Sequence, residues 1–271
     1  MATSELTVGA PRAHGLRGVP IFMYHALTAS RPPAGAKYRL PAVAFQEHLA
    51  VIKGNGFRPI LLRTLWTHPN PSEAHHAVGL TFDDGDVSNY THAYPALVEA
   101  EARADFFVNT ATVDRPGFLS WAQIAEMQRA GFSFQSHSHD HIALIGLPRR
   151  VLERQLRDSK RVLEERLSTR VDFLAAPYGL LNSGVVSAAQ DAGYRAVCTS
   201  WSWPAHPGAR TVSRIAVYPH TSAIEFVQLL QGRPPIFLRR VTRILLTHIP
   251  KRVLLRLRPR WLGVQVPETG P

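Results

Sequence analysis

The chain has 271 residues, 45% of them hydrophobic and 19% charged, enough to bury a full core as one large α/β domain or two small ones, and this composition excludes a disordered polypeptide. A single cysteine, Cys198, excludes an internal disulfide and a zinc-ribbon type of site, and it favours a reducing compartment. The formal net charge of +11 is concentrated: residues 233–260 hold nine Lys or Arg and no Asp or Glu, so the rest of the chain is close to neutral.

The N-terminal segment has no apolar run of signal-peptide length behind a basic start, and no stretch reaches the roughly 18 apolar residues of a spanning helix. The expectation is a cytoplasmic chain, peripheral at the inner membrane face at most. Residues 19–25 (VPIFMYH) are apolar and β-prone between Gly18 and a Ser/Arg/Pro/Gly loop, which predicts a buried first strand. Residues 44–55 carry Phe45, Leu49 and Ile52 at helical spacing and end at Gly54 and Gly56, with a short strand over 57–61. A strand over 77–82 (AVGLTF) runs into the acidic turn DDGD, followed by a helix from Tyr94 to about 104. Then come strand 104–110, helix 121–130 closed by Gly131, strand 132–136 and the longest helix, 148–167. The last of these carries the stripe Val151, Leu152, Leu156, Val162, Leu163 and Leu167. Strand 171–175, helix 183–192, strand 195–199 and a single strand over 212–217 complete the series. About seven strand–helix alternations argue for a parallel sheet that can close as a barrel, with functional groups just past the C-terminal strand ends.

Three clusters fall at such ends. Asp83 and Asp84 are adjacent carboxylates on a Gly turn, an arrangement whose repulsion a cation or a shared proton relieves, although Asp and Gly also serve ordinary turns. His137 and His141 lie four apart in SHSHDH, so one helical turn or a compact loop lets both imidazoles face one ion. Two imidazoles and one carboxylate make a three-ligand site with positions open for water and substrate. The third cluster is Pro177-Tyr178-Gly179, a turn able to aim a backbone N–H at a developing oxyanion.

In the order MYH, TFDDG, SHSHDH, PYG, residues 19–232 resemble the polysaccharide deacetylases of the NodB-homology type, carbohydrate esterase family 4. The resemblance implies an α/β fold of the distorted (β/α)7 barrel kind and metal-dependent removal of N-acetyl groups from a glycan. It assigns the general base to Asp83, the metal ligands to Asp84, His137 and His141, and an oxyanion-binding backbone N–H to Tyr178. His139 and Asp140 fall between the ligand positions, as loop or rim residues. The implied cofactor is one divalent ion, zinc foremost with cobalt or nickel as alternatives.

Two departures stand out. Many members of that family place an Arg shortly before PYG and brace it with a later Asp-Trp; here those positions read Ala175-Ala176 and Ser202-Trp203. Arg214 is the candidate replacement, although on its strand it reads first as an exposed, salt-bridging Arg. The late His that serves the family as acid is also ambiguous, with His25, His220 and His248 as candidates. Trp201, Trp203, Phe118 and Trp121 lie near strand ends, where they either pack in the core or stack on sugar rings.

The expected division is an N-terminal arm over 1–17, the deacetylase-like domain over 18–232 and a basic amphipathic helical tail over 233–271. In the tail Phe237, Val241, Leu245, Val253, Leu254 and Leu257 recur at three and four spacing, a pattern that either packs on the barrel or lies at an anionic membrane surface through 233–262. No reader motif accompanies the charge, so nucleic acid is not an expected partner. The expected partner is an N-acetylated glycan or glycolipid. The alternatives are an amidohydrolase acting on a cyclic imide or ureide and a catalytically silent carbohydrate-binding relative.

Overall fold

The structure, a computed structural model, describes residues 16–33, 35–67 and 76–242. Its principal sheet contains β1 (Ile21–Tyr24), β4 (Arg58–Pro59), β5 (Ala77–Phe82), β6 (Asp105–Val108), β7 (Ser133–Ser136), β8 (Phe173–Ala175), β9 (Ala196–Cys198), β10 (Thr211–Val212) and β11 (Ile215–Ala216), all parallel. A separate parallel pair, β2 (Ala26–Thr28) with β3 (Arg39–Pro41), flanks the top of β1. The helices are α1 (Ala42–Gly54), α2 (Leu62–Thr67), α3 (Tyr94–Glu99), α4 (Trp121–Arg129), α5 (Arg149–Leu167), α6 (Ser183–Asp191) and α7 (Ala223–Leu230), with a further helix from 234 onward.

The strand order is β10-β9-β8-β7-β6-β5-β1-β11, with β4 beside the lower end of β5. Its two edges, β10 and β11, are separated in the chain by Ser213 and Arg214 alone. Three Cα–Cα steps span at most about 11 Å, so the sheet must curl until its edges nearly meet. The single strand expected over 212–217 is therefore two short strands on opposite edges of a curled half-barrel, with Arg214 at the seam.

Alternation along the strands creates two cores. On the helix-covered face Tyr24, Phe82, Phe106 and Phe134 sit at paired register positions on β1, β5, β6 and β7 and form a stacked ladder, with centroids 5.3, 5.0 and 5.4 Å apart. Each ring is essentially inaccessible, worth roughly 1.5–3 kcal/mol of burial. The opposite face, the barrel interior, is filled by Ile21, Phe107, Phe173, Cys198 and Val212, with α2 adding Leu62, Leu65 and Trp66. All six residues of β5 are buried, as a central parallel strand covered on both faces requires.

Helix boundaries follow local chemistry. Ser120 and Gln123 form a reciprocal capping box on α4, and Asn182 caps α6 by accepting from the Val185 N–H. On α5 the buried stripe is Leu152, Gln155, Leu156, Ser159, Leu163 and Leu167. Val151 and Val162, expected inside, are only half-buried, and two polar residues take the inward positions because they bind the loop above β7.

The helix beginning at 234 packs on the barrel. Phe237 is fully buried and meets Trp203 edge-on at 5.9 Å, while the Arg240 guanidinium donates to the Ala216 carbonyl (2.7 Å) and to Glu225. Of the two expectations for the tail, packing on the barrel describes its first turn, where Phe237 is a core residue. The remaining tail positions, Leu245, Val253, Leu254 and Leu257, lie outside the described residues. Among the described residues no helix is long and apolar enough to cross a membrane.

Candidate active site

Because the strands are parallel, the residues that follow β1, β5, β7 and β8 all emerge at one end of the barrel. Asp83 and Asp84 follow β5, His137 and His141 follow β7, and Tyr178 follows β8. Asp84 adopts a left-handed backbone (φ 73°) and so does Gly85 (φ 68°), which swings the Asp84 carboxylate out of line with the strand. A Cβ on Gly85 would lie 3.1 Å from Val108 Cγ1 on the neighbouring strand, a tight approach, and the left-handed φ itself favours glycine.

The SHSHDH segment is a compact loop in which Ser138 (φ 68°) and His141 (φ 56°) both turn left-handed. It is pinned from several sides. The His137 N–H donates to the Val108 carbonyl (2.9 Å), Asn109 Nδ2 donates to the His137 carbonyl (2.6 Å), and Thr110 Oγ1 meets His139 Nδ1 at 2.7 Å. From α5, Gln155 grips Asp140 twice: its Oε1 accepts the Asp140 N–H (2.9 Å) and its Nε2 donates to Asp140 Oδ2 (2.6 Å). Ser136, Ser159 and Tyr194 close a buried hydroxyl chain beneath. Gln155 and Ser159 were invisible to an apolar-periodicity reading, although two polar residues at inward positions of an amphipathic helix are a signal in themselves.

These turns bring three donors to one point. His137 Nε2 lies 3.2 Å and His141 Nε2 3.3 Å from Asp84 Oδ1. The Ala175 carbonyl lies 2.9 Å from His137 Nδ1 and can only accept, so Nδ1 carries the hydrogen and Nε2 presents its lone pair to the cluster. Two imidazole nitrogens and a carboxylate oxygen converging at this distance are the donor set of a divalent cation with open positions. The residues present therefore fit such an ion. Burial alone would lower the His137 pKa, but Asp83 and Asp84 outweigh it and raise it, the response of an imidazole in an anionic pocket.

Asp83 is turned the other way, into the barrel. Both its oxygens are taken by Arg214, Oδ1 by Nη1 at 2.6 Å and Oδ2 by Nη2 at 2.7 Å, and both side chains are at most 4% exposed. Arg214 also donates from Nε to the Thr199 carbonyl (3.3 Å) and lies over the Phe107 ring at 5.0 Å. Burial pushes the Asp83 carboxyl up, yet the charge and hydrogen bonds of Arg214 prevail and hold it below the usual range. The expectation that Arg214 is exposed is thus overturned: the seam between β10 and β11 places it inside, where it meets Asp83.

Tyr178 has φ 61° and Gly179 φ 65°, so the PYG segment is a tight left-handed turn. A Cβ on Gly179 would fall 2.0 Å from Ser200 Oγ, so a larger residue would have to displace Ser200 and adopt a left-handed backbone. The Tyr178 ring lies 4.9 Å from that of His141 and borders the cluster. Of the acid candidates, His25 is half-buried beneath Tyr38 (4.4 Å between rings) and within the field of Asp83 and Asp84, His220 is exposed and stacked on Tyr218 at 5.3 Å, and His248 lies outside the described residues. Burial lowers the His25 pKa despite the two carboxylates.

Comparison with known proteins bears on the family and the fold. Residues 70–197 match the sequence model of the polysaccharide deacetylases. The chain is 28% identical over 214 residues to YxkH of Bacillus subtilis strain 168, named for the same family, which covers 77% of this chain and 74% of that protein. It is 29% identical over 126 residues to the poly-β-1,6-N-acetyl-D-glucosamine N-deacetylase of Staphylococcus epidermidis, but spans only 44% of that protein's length and 41% of its own. Among solved structures, the Streptococcus pyogenes deacetylase PplD, in complex with acetate, superposes with a TM-score of 0.72 at 28% identity, covering 79% of this chain and 98% of that one. The sequence and structural comparisons thus converge on the polysaccharide deacetylases, hydrolases of carbon–nitrogen bonds, as the proteins this chain is similar to.

Proposed function

We propose that this protein removes N-acetyl groups from a glycan or lipid-linked saccharide, with Asp84, His137 and His141 holding one divalent ion and Asp83 acting as general base. The observation that carries the reading is the convergence of the two His Nε2 atoms on Asp84 beside a carboxylate held ionised by Arg214. The named activity of the staphylococcal relative supports N-acetylglucosamine as the sugar to test first. Zinc is the ion that a His-His-Asp donor set suits best.

Bound there, a divalent ion supplies the Lewis acidity that activates a water and polarises an acyl oxygen. The chain's own residues do the rest. Each Asp83 oxygen keeps a lone pair beyond the one that Arg214 occupies, so the carboxylate can take a proton from water without breaking the pair. Arg214 takes over the charge-bracing task left vacant by Ala175 and Ala176, and it reaches Asp83 from the other side of the barrel. The Tyr178 backbone, fixed in its left-handed turn, directs an N–H at the oxygen that gains charge.

The test pairs acetate release from N-acetylglucosamine oligomers with metal analysis. Asp83→Asn should retain the ion and lose about 10²- to 10⁴-fold in turnover, whereas His137→Ala and His141→Ala should lose ion and turnover together. Full metal content in both His variants would refute the ligand assignment.

A further inference from the structure

Folded domains usually tuck aromatic rings away, and among the described residues this one does so almost throughout. The tryptophans and phenylalanine that read as sugar-stacking candidates are half-buried, and two of these rings have partners: Trp203 packs on Phe237, and Trp121 lies under Arg166 at 5.4 Å. Among the described residues the exposed Phe, Tyr and Trp side chains are two, Tyr38 at 40% and Tyr178 at 36%. Both border the Asp84–His137–His141 cluster. Tyr178 stands beside His141 (4.9 Å), and Tyr38, in the loop that leads into β3, is stacked on His25 and lies within the field of Asp84 and Asp83. Their shared position at the mouth of one cluster is not what surface chance produces.

From Tyr38 the aromatic surface continues outward. Tyr218 lies 5.9 Å from Tyr38, and exposed His220 stacks parallel on Tyr218 at 5.3 Å. Lys37 Nζ sits 4.9 Å from the Tyr38 centroid and 5.5 Å from that of Tyr218, offering ammonium donors along the same strip. Flat apolar rings interleaved with hydrogen-bond donors match the alternation of C–H faces and hydroxyls on a pyranose chain. Tyr38, Tyr218 and His220 thus form a chain of neighbouring rings that starts at His25.

Resting on the deacetylase reading above, we propose that Tyr38 and Tyr178 wall a saccharide cleft across the cluster. We further propose that Tyr38, Tyr218 and Lys37 form an outer subsite for a neighbouring sugar, so that the enzyme selects oligosaccharides over single N-acetylated sugars. Tyr38 is a specificity residue in this scheme: it adds binding for chain length.

The experiment measures kcat/KM for acetate release from N-acetylglucosamine and from its β-1,6- and β-1,4-linked tetramers, with the zinc-loaded wild type, Tyr38→Ala, Tyr38→Phe and Tyr218→Ala. Wild type should favour a tetramer over the monomer by tenfold or more. Tyr38→Ala and Tyr218→Ala should cut that ratio about tenfold, chiefly through KM, and Tyr38→Phe should retain it. A ratio that stays constant while both substrates slow would overturn the proposal and leave Tyr38 as a support for His25. If no substrate releases acetate, the deacetylase reading fails by itself, and calorimetric titration of the same tetramers then decides the strip. Tetramer binding by wild type that weakens tenfold in Tyr38→Ala upholds it, and no binding by wild type sinks it.

Discussion

The Asp83–Arg214 pair is where the unusual features of this chain meet, and its energetics can be worked from the geometry. Were it exposed, removing it would cost at most about 1 kcal/mol. It is bidentate at 2.6 and 2.7 Å with both side chains at most 4% accessible, so deleting one partner strands a buried charge, at a cost of about 3–5 kcal/mol. Arg214→Met keeps much of the volume and contact with Phe107 while removing the charge. Equilibrium urea unfolding, followed by tryptophan fluorescence with a chelator present so that ion binding does not contribute, should show that loss. Asp83→Asn should also destabilise, and the double variant should cost less than the two singles combined, with a coupling of roughly 2–3 kcal/mol. Turnover of Arg214→Met should fall as in Asp83→Asn, because burial without the guanidinium pushes the Asp83 carboxyl towards its neutral form. A single-variant cost below about 1 kcal/mol with additive behaviour would refute the reasoning and reduce Arg214 to a surface-like pair.

Gln155→Leu should weaken metal affinity about 10- to 100-fold in a chelator competition, because Gln155 holds Asp140 between the two histidines, and Gln155→Glu should not restore it, since it sets a second carboxylate against Asp140 Oδ2 where Nε2 had donated. Asp105 is buried at the opposite end of the barrel and pushed up to about 6 by burial, only partly offset by the Leu62 N–H. A folded-state pKa above the unfolded one means that the native state binds the extra proton, so this group's contribution to stability falls as pH rises through 6. Between pH 5 and pH 8 the wild type should lose roughly 1–1.5 kcal/mol relative to Asp105→Asn in urea titrations; a pH-independent difference would contradict this. Cys198 is fully buried in the barrel interior with its thiol pushed up to about 12 by burial, so a disulfide reagent should label it only as fast as the protein unfolds.

Local pattern was enough for the repeating strands and helices and for the positions of Asp83, Asp84, His137, His141 and Tyr178. Each stands within a few residues of an apolar strand, and a parallel sheet carries all such ends to one face. The 77–82 strand and the 183–191 helix could be read nearly to the residue, because their apolar runs and caps are written in adjacent positions. What the sequence could not convey depends on residues far apart in it. Arg214 meets Asp83 across 131 positions, and its burial follows from curling the sheet until β10 and β11 face each other, which broke the expected 212–217 strand. Phe237 shows the same limit: its spacing with Val241 marks an amphipathic face, but only the barrel surface beside Trp203 determines what that face covers. Tyr38 carries no motif, and its place at the cluster follows from the β2–β3 excursion that lays it on His25. Periodicity records which side of an element is apolar; the partner of that side, and of each buried charge, is decided when the chain closes.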